Sequence, residues 1–239
     1  MTERTEYLNK LIEWKDEQVI KVVTGIRRCG KSTLLELYAD YLRSTGVADE
    51  QIIFINFEDL ENEHLLDYKV LYKHICDRLC KDKYTYIFLD EIQKVENFEK
   101  AVDSLYIKKN TDIYMTGSNA YMLSGELATL LSGRYVEISM LPFSFKEYLE
   151  YHPSEDKASA LAAYMSDGGF PYISVMEHSK SKTDMYIEGI YNTIIVKDIE
   201  DRQRKRESDP NKRKVADIVL LKSIARFLAN SIGNPISFK

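Results

Sequence analysis

An α/β fold built on a mostly parallel sheet is what this chain predicts, and three observations carry the prediction. Short runs rich in β-branched and aromatic residues recur through the first two thirds of the sequence. Segments with helical apolar spacing separate them, and the middle runs are apolar throughout, as strands covered on both faces are. Alternation of this kind gives parallel strands joined by right-handed crossovers. Ligands of such sheets collect beyond the carboxyl ends of the strands, so those ends are where chemistry is to be sought.

Strands are expected at residues 19–24, 52–56, 84–90, 112–116 and 135–140. After the first, Leu34, Leu37, Tyr38, Tyr41 and Leu42 make a helical stripe that Gly46 ends. Before the fourth, Phe98, Ala101, Val102, Leu105 and Tyr106 make another, with Asn97 as its candidate N-cap.

The carboxyl end of the first strand carries Gly25-Ile26-Arg27-Arg28-Cys29-Gly30-Lys31-Ser32-Thr33, which fits G-x-x-x-x-G-K-[ST] between a strand and a helix. Glycines let the backbone wrap with its N–H groups inward, and the helix adds its positive end, so the stretch reads as a phosphate-binding loop. Lys31 would reach the β- and γ-phosphates and the Ser32 hydroxyl would bind Mg²⁺. The glycine spacing of a dinucleotide fold is absent here. Cys29 lies near a helix start beside two arginines, which favours the thiolate; a small residue filling a variable loop position is the plainer reading.

The third strand runs into Asp90-Glu91, and buried carboxylates are expensive unless a cation or water attends them. Asp90 suits a Mg²⁺ ligand, and Glu91 suits the base that orients and deprotonates an attacking water. "IIFINFED" ends the second strand in Glu58 and Asp59, either an acid near the phosphate loop or only a strand end. The fourth strand ends in "MTGSNA", where Thr116, Ser118 and Asn119 could bond the γ-phosphate or the lytic water; turn chemistry explains Gly-Ser-Asn equally well. Arg134 precedes the fifth strand and would present a guanidinium at the nucleotide rim or to a neighbouring subunit, or is a strand-edge charge.

Composition bounds the partners. The 239 residues hold 33 basic and 38 acidic side chains, a formal charge of -5, so no global field draws the chain to nucleic acid or to an anionic membrane. No apolar run approaches a membrane span, the amino end lacks the stretch of a signal peptide, and three cysteines make no disulfide framework; a cytoplasmic protein is expected. Cys76 and Cys80 stand one helical turn apart with His74 nearby, but no second ligand pair follows them. Residues 197–214 carry eight basic and five acidic residues and an Asp-Pro break, the pattern of a solvated hinge, with nucleic-acid contact as the alternative.

In this order "GIRRCGKST", "FLDEIQ", "TGSNA", "SGRYVEISMLPFSFKEYL", "GGFP" and "IIVKDI" resemble the bacterial and archaeal AAA+-like P-loop ATPases related to the STAND and archaeal-ATPase groups. The resemblance spans nearly the whole chain. It implies a three-layer P-loop sandwich with strand order 5-1-4-3-2 over residues 1–150, a helical lid over 151–210, and the start of a winged helix over 211–239. It also implies ATP and Mg²⁺ as ligands, Ser118 as the sensor of the γ-phosphate, and Pro171 of "GGFP" beside the nucleotide base. Family members usually continue into a further carboxy-terminal domain, nuclease-like in some, so the chain is expected to be a fragment. Hydrolysis of ATP by water, with the nucleotide state controlling domain arrangement, is the expected activity. A DNA-binding regulator with slow hydrolysis and a phosphotransferase are the alternatives, with self-association and a DNA contact the further partner expectations.

Overall fold

A computed structural model describes residues 4–117, 131, 133–176, 179–193 and 218–233. The chain divides into two compact units, Met1–His178 and Ser179–Lys239.

The first unit begins with α1 (Thr5–Glu13) and β1 (Ile20–Gly25), followed by α2 (Lys31–Ser44), β2 (Ile52–Asn56), α3 (Tyr68–Cys76) and β3 (Thr85–Asp90). It continues through α4 (Phe98–Tyr106), β4 (Thr111–Thr116) and β5 (Tyr135–Met140), and ends in α5 (Phe145–Tyr151), α6 (Lys157–Asp167) and α7 (Pro171–Val175). All five expected strands are present, with ends moved by no more than a residue. They form one parallel sheet in the order β2-β3-β4-β1-β5, the expected 5-1-4-3-2 read from its other edge.

Alternation along the buried strands builds two cores. Ile20 and Val22 face one side with Ile87, Leu89, Ile113 and Met115, where α3 and α4 supply Leu71, Ile75, Val102 and Leu105. Val23 faces the other with Phe88, Tyr114 and Met140, under Leu11 of α1 and Leu34, Leu35, Tyr38 and Leu42 of α2. Three layers follow from strands that are apolar on both faces, and burying each such side chain stabilises the fold by about 1.5–3 kcal/mol. Asn97 does stand at the N-cap of α4, but in a left-handed conformation and without a side-chain cap; its amide oxygen accepts from Lys100 Nζ at 3.2 Å instead.

One polar cluster sits among these apolar layers. Lys21 Nζ donates to Asp112 Oδ1 at 2.6 Å and to the Glu17 carbonyl at 2.7 Å, while Asp112 Oδ2 accepts from the Tyr114 hydroxyl and from the Asp16 N–H. Tyr38 meets Tyr114 hydroxyl to hydroxyl at 3.0 Å. Burial pushes Lys21 down and Asp112 up, each against the pull of the other, and it pushes both tyrosines up.

After β5 the chain is fastened back onto the sheet. Ser144 and Glu147 form a reciprocal cap at the start of α5. Arg4 lies buried between the rings of Tyr7 and Phe143, its guanidinium 4.7 and 5.1 Å from their centres, donating to the Leu141 carbonyl and paired with Glu147. Phe143 receives the Tyr164 hydroxyl on its carbonyl and donates its N–H to the Gly169 carbonyl. In the second unit α8 (Lys180–Asn192) and α9 (Ile218–Asn230) are bridged by Lys222 Nζ, which donates to Asn192 Oδ1 at 3.2 Å. Among the described residues no helix is long and apolar enough to cross a membrane.

Candidate phosphate-binding site

The site forms where β1 hands over to α2. A side chain at Gly25 would overlap the Met140 carbonyl oxygen and lie 2.8 Å from Cys29 Sγ, so only glycine lets the loop start against β5. Arg28 and Gly30 take left-handed conformations, with φ of 67° and 98°, and turn the backbone back on itself. Gly30 caps α2 and no side chain among the described residues caps the helix start, so the first-turn N–H groups at Lys31, Ser32 and Thr33 lack intrahelical carbonyl partners, as at an anion site.

Lys31 is 4% exposed, and its ammonium is folded back on the loop. It donates to the Gly25 carbonyl at 3.1 Å and to the Ile26 carbonyl at 3.3 Å, and it lies 3.9 Å from Glu91 Oε1. The strand order explains that meeting. β3 stands two places from β1 with β4 between them, so the acids at the end of β3 lie across the sheet rim from the loop.

Asp90 and Glu91 are tied together by Thr116 from the end of β4. The Thr116 hydroxyl donates to Asp90 Oδ1 and accepts the Glu91 N–H at 2.9 Å. This corrects the expectation for Thr116, whose hydroxyl is fully buried and spent on the acid pair rather than offered to phosphate or water. Glu91 itself is left-handed, with φ 57°, a conformation a non-glycine residue holds only where its surroundings fix it. Gln93, two residues on, donates its amide to Glu91 Oε2 at 2.5 Å.

The donor set fits Mg²⁺. That ion is usually held by one or two carboxylates together with substrate phosphates and waters, so a protein-only cage is not needed. Asp90 is 1% exposed, and the Glu36 carboxyl on α2 is pushed up by burial and then by the nearby Asp90 charge. Two acids crowded at that point are an environment a divalent cation relieves. Ser32, half-buried in the first turn of α2, is the hydroxyl expected to complete it.

Other expected residues fall in different places. A side chain at Gly30 would lie 3.8 Å from Pro171 Cγ, so Pro171 does stand against the loop. Gly169 has no room for a side chain against the Phe143 carbonyl, which fixes the approach of that segment. Ser118 and Asn119 lie outside the described residues, as does the charged segment 197–214. Glu58 pairs loosely with Lys94, and Asp59 accepts the Glu61 N–H, so both belong to the turn after β2. The Cys80 thiol donates to the Glu50 carbonyl, and His74 contacts Arg78 and His64.

The sequence left Cys29 and Arg134 open between readings, and the structure excludes one reading of each. Cys29 is fully buried, and burial pushes its thiol up more strongly than Lys31 and Arg4 pull it down, so the protonated thiol is the favoured form rather than the thiolate. Arg134 is not brought to the nucleotide rim of its own chain. β5 runs parallel to β1 with Ile20 beside Tyr135 and Gly25 beside Met140, which puts Arg134 at the amino end of the strands, opposite the rim that carries the loop. There it pairs with Asp103 at 3.5 Å and lies over the Tyr106 ring. The parts that sequence reasoning missed are Gln93 and the bridging role of Thr116; the Gln in "FLDEIQ" was visible, its partner was not.

A glycine-bounded loop feeding a helix start, with a lysine and a carboxylate converging across a parallel sheet, defines a P-loop nucleotide-binding protein. The particular family follows from comparison: residues 17–149 match the AAA domain family, and the chain belongs to it. An uncharacterized protein of Haemophilus influenzae is 40% identical over 243 residues, covering 99% of this chain and 58% of its own length. A second, from Methanocaldococcus jannaschii, is 29% identical over 257 residues, covering 100% of this chain and 53% of its own. The chain thus spans little more than half the length of these relatives. Among solved structures, the Aeropyrum pernix ORC1 protein in complex with DNA superposes with a TM-score of 0.48 at 14% identity, over 96% of this chain and 66% of that one. AMPPCP-bound DnaA from Aquifex aeolicus gives 0.45 at 14% identity, over 97% and 69%.

Proposed function

We propose that the protein binds ATP with Mg²⁺ and hydrolyses it with water, the nucleotide state setting the arrangement of its domains. The observation that carries this reading is the meeting of Lys31 and Glu91 at 3.9 Å beside an uncapped helix start. The loop amides and the α2 N-terminus hold the phosphates, and Lys31 turns from its carbonyl partners to the β- and γ-oxygens. Bound at Ser32 and Asp90, Mg²⁺ would offset phosphate charge. Glu91 accepts the proton of the attacking water, a role that typically contributes about 10²- to 10⁴-fold in rate. Pro171, against the loop, borders the base, and Ser118 senses the γ-phosphate.

With Arg134 at the amino end of β5, any catalytic part it plays is across a subunit interface, and an isolated chain would then turn over slowly. On this reading residues 1–150 are the ATPase core, 151–210 the lid and 211–239 the start of a winged helix, with DNA contact through the last as a further proposal. Phosphate release from ATP with Mg²⁺ tests the reading when wild type and Glu91→Gln are compared at equal nucleotide occupancy. Glu91→Gln should bind ATP normally and lose turnover by about 10²-fold or more; a variant that hydrolyses at the wild-type rate would place the base elsewhere.

A further inference from the structure

Gln93 sits in the short turn Ile92–Lys94 just after the acid pair. Its amide nitrogen donates to Glu91 Oε2 at 2.5 Å, while its own amide oxygen is buried with no hydrogen-bond partner among the described residues. The opposite orientation of the amide would set two oxygens face to face, so the donor orientation follows from the chemistry of the contact. A buried carbonyl left unpaired costs stability. The side chain is therefore not placed to satisfy itself, and the bond to Glu91 is the polar interaction gained by its position.

Glu91 is held at three points. Thr116 fixes its N–H, Gln93 takes one carboxylate oxygen, and Lys31 faces the other at 3.9 Å. The left-handed backbone of Glu91 needs such restraint to persist. We propose that Gln93 is a positioning residue for the base, and that it keeps Oε2 engaged so that Oε1 alone is presented, first to Lys31 in the resting site and then to water once the lysine turns to phosphate. This inference rests on the hydrolytic reading of the site. A neutral donor is what the position requires, since a second cation there would compete with Lys31 for the same carboxylate.

Gln93→Met tests it, because methionine keeps the length, removes the donor and also removes the unpaired oxygen. The expected result in the full 239-residue chain is a kcat about 10-fold lower or more, with KM for ATP, nucleotide affinity and melting temperature unchanged or the last slightly raised. Gln93→Asn, which keeps an amide one methylene shorter, should recover part of the rate. Adding Gln93→Met to Glu91→Gln should slow the enzyme no further, since Gln93 acts through Glu91. A Gln93→Met rate within twofold of wild type, while Glu91→Gln is inactive, overturns this inference and leaves the hydrolytic reading standing. A drop in melting temperature together with a raised KM overturns it in favour of a structural role. Absence of phosphate release from the wild-type chain overturns both.

Discussion

Replacing Thr116 by valine removes a hydroxyl from a fully buried position while keeping the branched shape of the side chain. Two bonds go with it: the one donated to Asp90, itself 1% exposed, and the one accepted from the Glu91 N–H at 2.9 Å. A hydrogen bond to a charged group contributes about 1.5–3 kcal/mol, and a partly buried N–H left unpaired costs about 1 kcal/mol more. The loss should be about 2.5–4 kcal/mol. In a domain of this size each kcal/mol moves the melting temperature by about 2–4 °C, so a fall of roughly 5–15 °C is expected. Thr116→Ser keeps the hydroxyl and gives up one methyl, for about 1 kcal/mol. The assay is thermal unfolding followed by the fluorescence of Trp14, which is the sole tryptophan and belongs to the unit spanning Met1–His178, so the second unit does not blur the transition. Valine and serine variants melting together would refute the claim that this hydroxyl ties the acid pair.

Four further outcomes follow from the geometry. Lys21→Met should lose about 3–5 kcal/mol by leaving Asp112 buried without its cation, and Lys21→Met with Asp112→Leu should lose less than the single change, as urea unfolding would show. Cys29 should react with iodoacetamide far more slowly than the half-buried Cys76 and Cys80, by mass spectrometry of the peptides. The fold raises the Cys29 thiol, so that group's contribution to stability is full below the ordinary thiol range and is lost as pH climbs through that range to the raised value. Arg134→Ala should cost under about 1 kcal/mol, since its ion pair is half exposed, and should leave the rate of a dilute monomer unchanged while lowering that of any assembled form.

The phosphate loop was legible because its spacing does the physical work locally: Gly25 and Gly30 set the backbone, and Lys31 and Ser32 follow at fixed offsets on a helix. The order of strands came from resemblance to a family. Side-chain partners were harder, because they depend on what other strands bring. Thr116 reads as rim polarity until β3 is set beside β4, and then Asp90 is within reach of its hydroxyl. Cys29 follows two arginines in sequence, but it is buried in the same cluster as Met140 and burial outweighs the nearby charge. The place of Arg134 at the amino end of β5 was available in principle, since a residue that precedes a parallel strand cannot also stand at that sheet's carboxyl rim. The Lys21–Asp112 pair had a faint signal too, one charge in each of two otherwise apolar strands of opposite sign.

The most direct measurement is a calorimetric titration of the chain with ATP in the presence of Mg²⁺, repeated on Lys31→Ala. Saturable heat from the wild type and none from the variant is the predicted result. No heat from either, or equal affinity in both, would contradict a triphosphate held by the Gly25–Thr33 loop.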